Sequence, residues 1–459
     1  MSESSRHVGE ASIIVPGARA GSTTEAWRLA YPTVIGMLSA TLMWTVDTLL
    51  LGRVGKVELA AAGLGGVLVW TLYTFFVGLV QGVATFVAQA KGAGRHGECA
   101  VFAWQGLYLA LPGALILAIF YWQAGNLLAR AGPEPAVAGE ALRSMRARMT
   151  GAYFLLATFV FHSFFRGIGS VRTSMAISLV SNLVNLVLDL LLIFGPGPWP
   201  RWTTFGAGLA TSIADVSAAL LGCALFLRPR VTALYHPWQV RALRLDSLRR
   251  LLRVGAPIGV QTFLDMGSFT VFMALMGRLG TDELAASQIA VQLLSFSFMP
   301  ANGIAKAATT MVGQYLGAGR AALAARCGWV SLRMNLVYSL VVAALFFAAR
   351  RHLFSLFNGD AAVVAAGASI VPLLALFQIA DATQMTMSGA LQGAGDTRAP
   401  MLITGIGSYA IFLPLALLFA YRLEWGIFGA WLGGVIAFAC IATLLTLRFR
   451  HGAWQRISI

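Results

Sequence analysis

Long apolar runs follow one another along nearly the whole chain, and each run is long enough to cross a membrane as a helix. A transmembrane helix needs roughly 20 consecutive apolar residues, because it rises about 1.5 Å per residue through a hydrocarbon core about 30 Å thick. The twelve predicted spans lie near residues 27–52, 60–90, 99–123, 138–166, 173–195, 205–228, 254–278, 284–316, 324–348, 362–392, 399–421 and 426–448. The sequence therefore predicts an all-α polytopic membrane protein.

Charged residues are too few to cover the surface of a soluble protein of this size. They form 11% of the 459 residues, whereas about a quarter is usual in soluble domains. This scarcity argues against a soluble enzyme, a disordered chain and a nucleic-acid-binding protein. The net charge of +15 does not reverse that conclusion, because the arginines are spread between apolar runs. We expect membrane lipids, and no nucleic acid, as partners.

The basic residues predict which loops face the cytoplasm. An even number of spans places both termini on one side, and Lys and Arg are enriched in cytoplasmic loops. Most of the basic residues, including those of the arginine-rich stretch 228–253, fall on the side of the termini. We therefore expect a multi-pass protein of the cytoplasmic (inner) membrane with both termini in the cytoplasm. Arg143, Arg146 and Arg148 depart from this pattern, since they fall on the outer side.

The two halves of the chain repeat each other. The segment GRVGKVELAAAG begins at Gly52 and GRLGTDELAASQ begins at Gly277, an offset of 225 residues, and the same offset aligns VAQAKGAGR at Val87 with VGQYLGAGR at Val312. Six spans per half give the halves the same orientation, so we expect two homologous six-helix bundles with a central cleft and alternating access. The other interpretation is a duplicated scaffold without a transport role.

The repeat also predicts the division of the chain. The expected parts are a cytoplasmic tail at 1–26, an N-terminal bundle at 27–228, a basic cytoplasmic linker at 229–250, a C-terminal bundle at 251–448 and a second cytoplasmic tail at 449–459.

Five aspartates fall inside predicted spans. They are Asp47, Asp189, Asp215, Asp265 and Asp381. A carboxylate in lipid costs several kcal/mol unless it faces a cavity or a partner, so each one indicates a functional site. The structural alternative is a hydrogen bond or ion pair between helices. Two neighbouring carboxyl groups can share and exchange H⁺, while carboxylates together with amide and hydroxyl oxygens can hold Na⁺.

Other polar residues recur at helical spacing around these acids, which places them on common helix faces. Because such faces cannot point at lipid, they line either a polar seam or a water-filled cavity. The predicted cavity residues are Asn182, Asp215, Gln261, Gln288, Gln292, Met299, Asn302, Lys306, Gln378 and Met385. Lys306 either pairs with Asp265 or Asp381, or extends to the cytoplasmic interface.

Neither a metal centre nor a catalytic cluster is indicated. The four cysteines, at 99, 223, 327 and 440, are scattered and form no CxxC pair, so a disulfide framework or zinc site is not expected. His162 is the one histidine well inside a span, and it belongs to no recognisable nucleophile–base motif. We therefore expect no enzyme activity and no cofactor. A membrane-embedded transferase and a lipid-linked precursor flippase are the alternatives.

At this point the residues resemble a known family. The segment VDTLLLGRVG around Asp47 and the segment DATQMTMSGALQGAGDTR from Asp381, together with the repeat, are similar to the multidrug and toxic compound extrusion (MATE) family of the MOP superfamily. The resemblance implies that fold, and we expect the protein to act as a monomer. It also implies export of amphipathic, often cationic compounds in exchange for inward H⁺ or Na⁺.

The resemblance further implies two sets of cation-coupling residues. Asp47, Asn185 and Asp189 match the DinF-like branch. Asp265 and Asp381 resemble the acids that coordinate the cation in the NorM-like branch, where the first acid is usually Glu. Na⁺ is one of the candidate ions for this pair. The chain carries both sets, so the subfamily and the coupling ion stay open.

Overall fold

A computed structural model describes residues 11–195, 201–357 and 360–457, and helices account for nearly all of them. In these ranges the β structure is one isolated bridge between Ala11 and Arg19. The helices are α1 (Thr23–Val54), α2 (Lys56–Gly92), α3 (His96–Ala131), α4 (Pro135–Met149), α5 (Ala152–Gly167), α6 (Val171–Phe194), α7 (Thr203–Phe226), α8 (Pro229–Tyr235), α9 (Leu245–Leu279), α10 (Thr281–Gly317), α11 (Ala321–Ala348), α12 (Arg350–Ser355), α13 (Ala361–Ala394), α14 (Arg398–Arg422) and α15 (Gly426–His451). A short 3₁₀ turn, Ala453–Arg456, follows.

Within the described residues, eleven of these helices are long and apolar enough to cross a membrane. They correspond to eleven of the twelve predicted spans, and the all-α polytopic prediction is confirmed. The predicted span 138–166 is not a single helix, because this segment is divided between α4 and α5. The break falls at Thr150–Gly151.

Side chains of neighbouring helices support this break. The carbonyl oxygens at the end of α4 have no partner in a following helical turn. The Ser212 hydroxyl donates to the carbonyls of Ala147 and Arg148, at 2.8 and 3.1 Å, and the Tyr73 hydroxyl donates to that of Arg148 at 3.1 Å. Gly151 allows the close approach, since a Cβ there would lie 2.9 Å from the Cα of Ser212.

Two compact units divide the described chain. The N-terminal unit spans Ile35–Gly259, and the C-terminal unit combines the described parts of Met1–Val34 and Val260–Ile459. The first turns of α1 therefore belong to the C-terminal unit, and the first half of α9 belongs to the N-terminal unit. The bundle boundaries that the repeat predicts, 27–228 and 251–448, stay a prediction.

Glycines bring helix backbones together inside the N-terminal unit. A Cβ at Gly255 would lie 2.3 Å from the carbonyl oxygen of Leu79, and a Cβ at Gly259 would lie 2.4 Å from that of Phe75. The beginning of α9 thus crosses α2 in backbone contact. Small residues at such crossings are the usual means by which membrane helices pack, since lipid leaves no hydrophobic driving force between them.

The C-terminal unit uses the same kind of packing. A Cβ at Gly393 would lie 2.3 Å from the carbonyl oxygen of Thr309, so α13 lies directly against α10. The Thr309 hydroxyl donates to the carbonyl of Gly389 at 2.8 Å. Aromatic rings fill the rest of the interior, with the rings of Phe272 and Phe377 packed edge-on against Trp431. This rigid packing fixes the helices that carry the intramembrane acids.

Candidate functional site

The acids of the N-terminal unit come together where α6 lies along α1. Asp189 is fully buried, and its Oδ2 accepts a hydrogen bond from the Asn185 amide at 2.8 Å. Its carboxyl group also lies within hydrogen-bonding reach of the carboxyl of Asp47. One hydrogen-bonded turn of α6 separates Asn185 from Asp189, so both side chains face α1. The structure therefore assembles all three coupling residues expected in this half.

The register between the two helices extends along several turns. Gly36 lies against Ser178, the Asn182 amide donates to the hydroxyl of Ser39 at 2.7 Å, and Asp47 meets Asp189 further along. Positions increase together on α1 and α6, which means that the helices run parallel. The predicted polar face of α6 is thus a polar seam against α1 over this length.

A cation lies beside these acids, which the sequence interpretation missed. Arg148, at the end of α4, is close enough to interact electrostatically with Asp47 and with Asp215. It is half-buried, and its Nε is buried with no hydrogen-bond partner in the part of the chain that the structure describes. Tyr73 contacts the same place through its bond to the Arg148 carbonyl. Asp47, Asp189, Asp215 and Arg148 form what we call the N-terminal acid cluster.

Arg148 was detectable in principle. It lies inside the apolar run 138–166, and an ionisable residue within a span indicates a functional site in the same way as an acid does. The positive-inside argument led us instead to treat it as one of three outer-loop arginines. The break between α4 and α5, which the apolar pattern does not reveal, is what places it among the aspartates.

The C-terminal unit brings its two acids near each other as well. Asp265 on α9 and Asp381 on α13 lie within electrostatic range. The Oδ1 atom of Asp265 is buried and has no hydrogen-bond partner among the described residues. An unpaired buried carboxylate oxygen is costly, so this atom is suited to receive a proton or a cation. Asp265 and Asp381 are called the C-terminal acid pair below.

A hydrogen-bonded amide network lies beside this pair, around Gln261. The Gln261 amide donates to the hydroxyls of Ser388 and Thr404 at 3.1 and 3.3 Å, and its Oε1 accepts from the Gln392 amide at 3.2 Å. The network ties α9, α13 and α14 together. Gln261 was predicted to line a cavity, whereas its described contacts are those of a polar seam between helices.

Asn335 on α11 is a second residue that sequence reasoning missed. It is fully buried, and its amide donates to the carbonyls of Ala301 and Ala382, both at 3.2 Å, and to the hydroxyl of Thr386 at 2.7 Å. It therefore fixes the turn of α13 that follows Asp381 against α10. A lone asparagine in the middle of the apolar run 324–348 is the signal that would have found it.

The predicted cavity residues of α10 and α13 differ in exposure. Gln288 and Gln292 are exposed, whereas Met299, Asn302 and Lys306 on α10 and Met385 on α13 are half-buried. Gln378 is buried at 2% exposure. Their assignment to a substrate cavity, and the choice of partner for Lys306, stay predictions.

No group of three or more His, Cys, Asp or Glu side chains with metal-binding geometry occurs among the described residues. His162 is buried and pairs its Nδ1 with the Ser174 hydroxyl at 2.7 Å. This hydrogen bond gives the one intramembrane histidine of the sequence analysis a structural partner.

Comparison with known proteins agrees with these features. A family model described as MatE matches residues 32–191 and 257–418. The probable multidrug resistance protein NorM of Pseudomonas aeruginosa is 33% identical over 432 residues, which cover 92% of this chain and 88% of that protein. A protein of the same name from Bradyrhizobium diazoefficiens is 33% identical over 440 residues, covering 93% and 92%.

Solved structures share the fold at lower identity. The outward-facing structure of a multidrug resistance MATE family transporter of the MOP superfamily superposes with a TM-score of 0.88 at 21% identity, over 95% of this chain and 97% of the other. The eukaryotic MATE transporter AtDTX14 superposes with a TM-score of 0.84 at 21% identity, over 95% and 96%.

The repeated halves, the long apolar helices and the intramembrane carboxyl groups define a multi-pass α-helical membrane transporter. The family match covers both halves of the chain, and the relatives align over nearly all of it. The protein belongs to the MATE family, which confirms the resemblance found in its sequence motifs.

Proposed function

We propose that this protein is a secondary antiporter that exports amphipathic, often cationic small molecules in exchange for inward H⁺ or Na⁺. Family membership supports the export of small molecules, since the relatives at 33% identity are named as multidrug resistance proteins. The observation that carries the coupling part of the proposal is the contact between the carboxyl groups of Asp47 and Asp189.

The contact between the two carboxyl groups makes protons and a cationic substrate compete for the same negative charge. A carboxyl group can donate a hydrogen bond once it is protonated, so two neighbouring carboxyls can share one proton. Loss of that proton leaves two negative charges at short distance, which a cation can neutralise. Protons and a cationic substrate therefore compete for the N-terminal acid cluster.

Competition of this kind converts a gradient into transport. Protons entering from the outside displace the cation there, and proton loss to the cytoplasm restores the affinity for the next cation. The ion acts only by binding the outward- and inward-facing states differently. The internal repeat supports alternating access as the means by which the site is presented to the two sides. We place both termini in the cytoplasm.

The C-terminal acid pair supports a second coupling site. Asp265 and Asp381 offer carboxylate oxygens, and hard cations such as Na⁺ prefer oxygen ligands. We propose that Na⁺ is the ion if this pair is the coupling site, and H⁺ if the N-terminal acid cluster is. The two possibilities differ in the residue whose neutralisation abolishes coupling.

Transport by the purified protein in liposomes tests the proposal. Ethidium efflux is followed under an imposed pH gradient and, separately, under a Na⁺ gradient, for the wild type, Asp47→Asn and Asp381→Asn. We expect efflux driven by the pH gradient and lost in Asp47→Asn. Efflux driven by Na⁺ and lost in Asp381→Asn would move coupling to the C-terminal unit.

A matched control uses an acid outside both sites. Asp282 is exposed in the first turn of α10, and Asp282→Asn removes the same charge and should transport like the wild type. Absence of efflux under either gradient, from protein that remains folded, would overturn multidrug antiport. That result would favour the flippase alternative, which the buried acids of the N-terminal acid cluster disfavour.

A further inference from the structure

The arginine-rich stretch between the halves is folded onto the N-terminal unit. Three side chains of α3 hold its backbone carbonyls: the Trp104 indole donates to Pro237 at 2.9 Å, the Gln105 amide donates to Ala242 at 3.1 Å, and the Tyr108 hydroxyl donates to Arg241. Gln105 also accepts from the backbone N–H of Arg244 at 3.1 Å. These bonds fix the path of the chain between α8 and α9.

Aromatic contacts hold both ends of the stretch. Tyr235, at the end of α8, is buried, packs edge-on against Phe164 and lies under the ammonium of Lys91, which is 5.5 Å from its ring centroid. The guanidinium of Arg250 lies over the rings of Phe86 and Phe102, at 5.7 and 5.5 Å. One arginine of the stretch is thus used internally.

The other arginines of the stretch point away from the unit. The exposed ones are Arg228, Arg230, Arg241, Arg244, Arg249 and Arg253. Asp246 is the one acid between residues 228 and 253, so this surface carries a strong positive charge. We call residues 228–253 the basic belt.

Large apolar side chains are exposed in the same belt. Leu234 is 42% exposed, Trp238 51%, Leu243 56% and Leu245 61%. Apolar residues interleaved with arginines are typical of segments that lie in the interface of a membrane, with the apolar groups inserted and the cations at the headgroups. Tryptophan is enriched at that level of the bilayer.

The position of the belt along the chain agrees with this composition. The candidate span α7 ends at Phe226, two residues before the belt begins, and the candidate span α9 starts inside it at Leu245. The belt is therefore confined to the boundary between membrane and water. Nucleic acid or an acidic protein would match its charge but not its exposed leucines.

We propose that the basic belt is a docking surface for the headgroups of anionic phospholipids, with Trp238, Leu243 and Leu245 inserted beside them. The arginines neutralise lipid phosphates, and the bonds from α3 keep the belt in place before lipid binds. Because the belt continues directly into α9, bound lipid also fixes the start of the helix that carries Asp265.

Lipid binding to the full-length protein tests the proposal. Detergent-purified protein is titrated with fluorescent phosphatidylglycerol or phosphatidylcholine, and binding is followed by anisotropy. The belt variant combines Arg241→Gln, Arg244→Gln and Arg249→Gln. We expect the wild type to prefer phosphatidylglycerol and the belt variant to bind it about tenfold more weakly. Exchanging the same arginines for lysine should retain most of the binding.

A charge-matched control separates a site from general attraction. The control uses three exposed arginines near the C-terminal ends of α1, α3 and α14, which we place on the outer side: Arg53, Arg130 and Arg422. Their combined exchange to Gln removes the same charge. The proposal is overturned if this control loses as much affinity, if the wild type does not distinguish the lipids, or if an RNA oligonucleotide displaces phosphatidylglycerol. Trp238→Ser, which keeps every charge, should weaken binding as well, and unchanged binding in that variant would contradict the insertion of the apolar side chains.

Discussion

The pairing of Asp47 with Asp189 depends on which faces of α1 and α6 meet, and Arg148 is close enough to Asp47 to interact with it electrostatically. The acids and the two asparagines were predictable from sequence, because intramembrane polar residues at helical spacing indicate a common face. Their mutual contact was not, since it needs the register between α1 and α6. Arg148 was missed for the same reason, as its role depends on a helix break.

Removing the arginine charge should weaken coupled transport. Arg148 is close enough to interact electrostatically with Asp47 and Asp215, so its loss leaves both acids without that neighbouring cation. We therefore expect Arg148→Gln to reduce ethidium efflux under a pH gradient several-fold, whereas Arg148→Lys, which keeps the charge, should stay close to the wild type. Equal efflux in the two variants would exclude this role of the arginine charge.

Asn335 should contribute measurably to the stability of the C-terminal unit. Asn335→Leu removes the three hydrogen bonds that its amide donates. Because a hydrogen bond between membrane helices contributes well under 2 kcal/mol on average, we expect a loss of about 1–2 kcal/mol in the free energy of unfolding in detergent. Ser339→Ala on the same helix is the control, since the Ser339 hydroxyl is buried and meets no hydrogen-bond partner within the described ranges.

At the scale of the elements, hydropathy predicted where the membrane-spanning helices lie better than it predicted whether each helix is unbroken. Eleven spans matched their apolar runs because length and composition suffice to identify a membrane-crossing helix. The run 138–166 gave no sign of its division, which depends on contacts from Tyr73 and Ser212 far along the chain. The π-helical turns of α14, at Gly407–Phe412 and Leu418–Arg422, were likewise not visible in the apolar pattern.

The break between α4 and α5 can be tested by closing the space that it needs. A Cβ at Gly151 would lie 2.9 Å from the Cα and Oγ of Ser212. We expect Gly151→Ala to cost about 1–3 kcal/mol of stability by overpacking and to reduce efflux by displacing Arg148. Gly139→Ala, within α4, is the matched control, since a Cβ there meets nothing within 4 Å. Equal thermal stability of the two variants would contradict the tight contact.

At the scale of the whole molecule, the repeat predicted two related halves, but the compact units divide inside α1 and α9. Sequence identity between halves records where the duplication lies, whereas packing depends on which helices touch. The start of α1 packs in the C-terminal unit, where Glu25 accepts a hydrogen bond from the hydroxyl of Tyr315 at 2.8 Å. The start of α9 packs in the N-terminal unit, against α2.

The start of α1, residues 23–34, packs in the C-terminal unit, and the start of α9, residues 245–259, packs in the N-terminal unit. We call them the exchanged segments, and their packing can be tested in the whole molecule. Gly303 lies against Val34, where a Cβ would be 2.5 Å from Cγ2 and 3.1 Å from the backbone nitrogen, and Gly255 lies against Leu79. Neither contact can yield easily, because one involves a stiff β-branched side chain and the other a helix backbone. We expect Gly303→Ala and Gly255→Ala each to lower the free energy of unfolding by about 1–3 kcal/mol.

The double variant makes the test specific to the two segments. The two contacts belong to different units and share no residue, so their losses should add within about 0.5 kcal/mol. Gly66→Ala is the control, because a Cβ at Gly66 meets nothing within 4 Å. Thermal unfolding in detergent is measured for these four variants beside the wild type. Destabilisation in only one of the single variants would contradict this prediction, because the close contact of the other exchanged segment would then contribute no measurable stability.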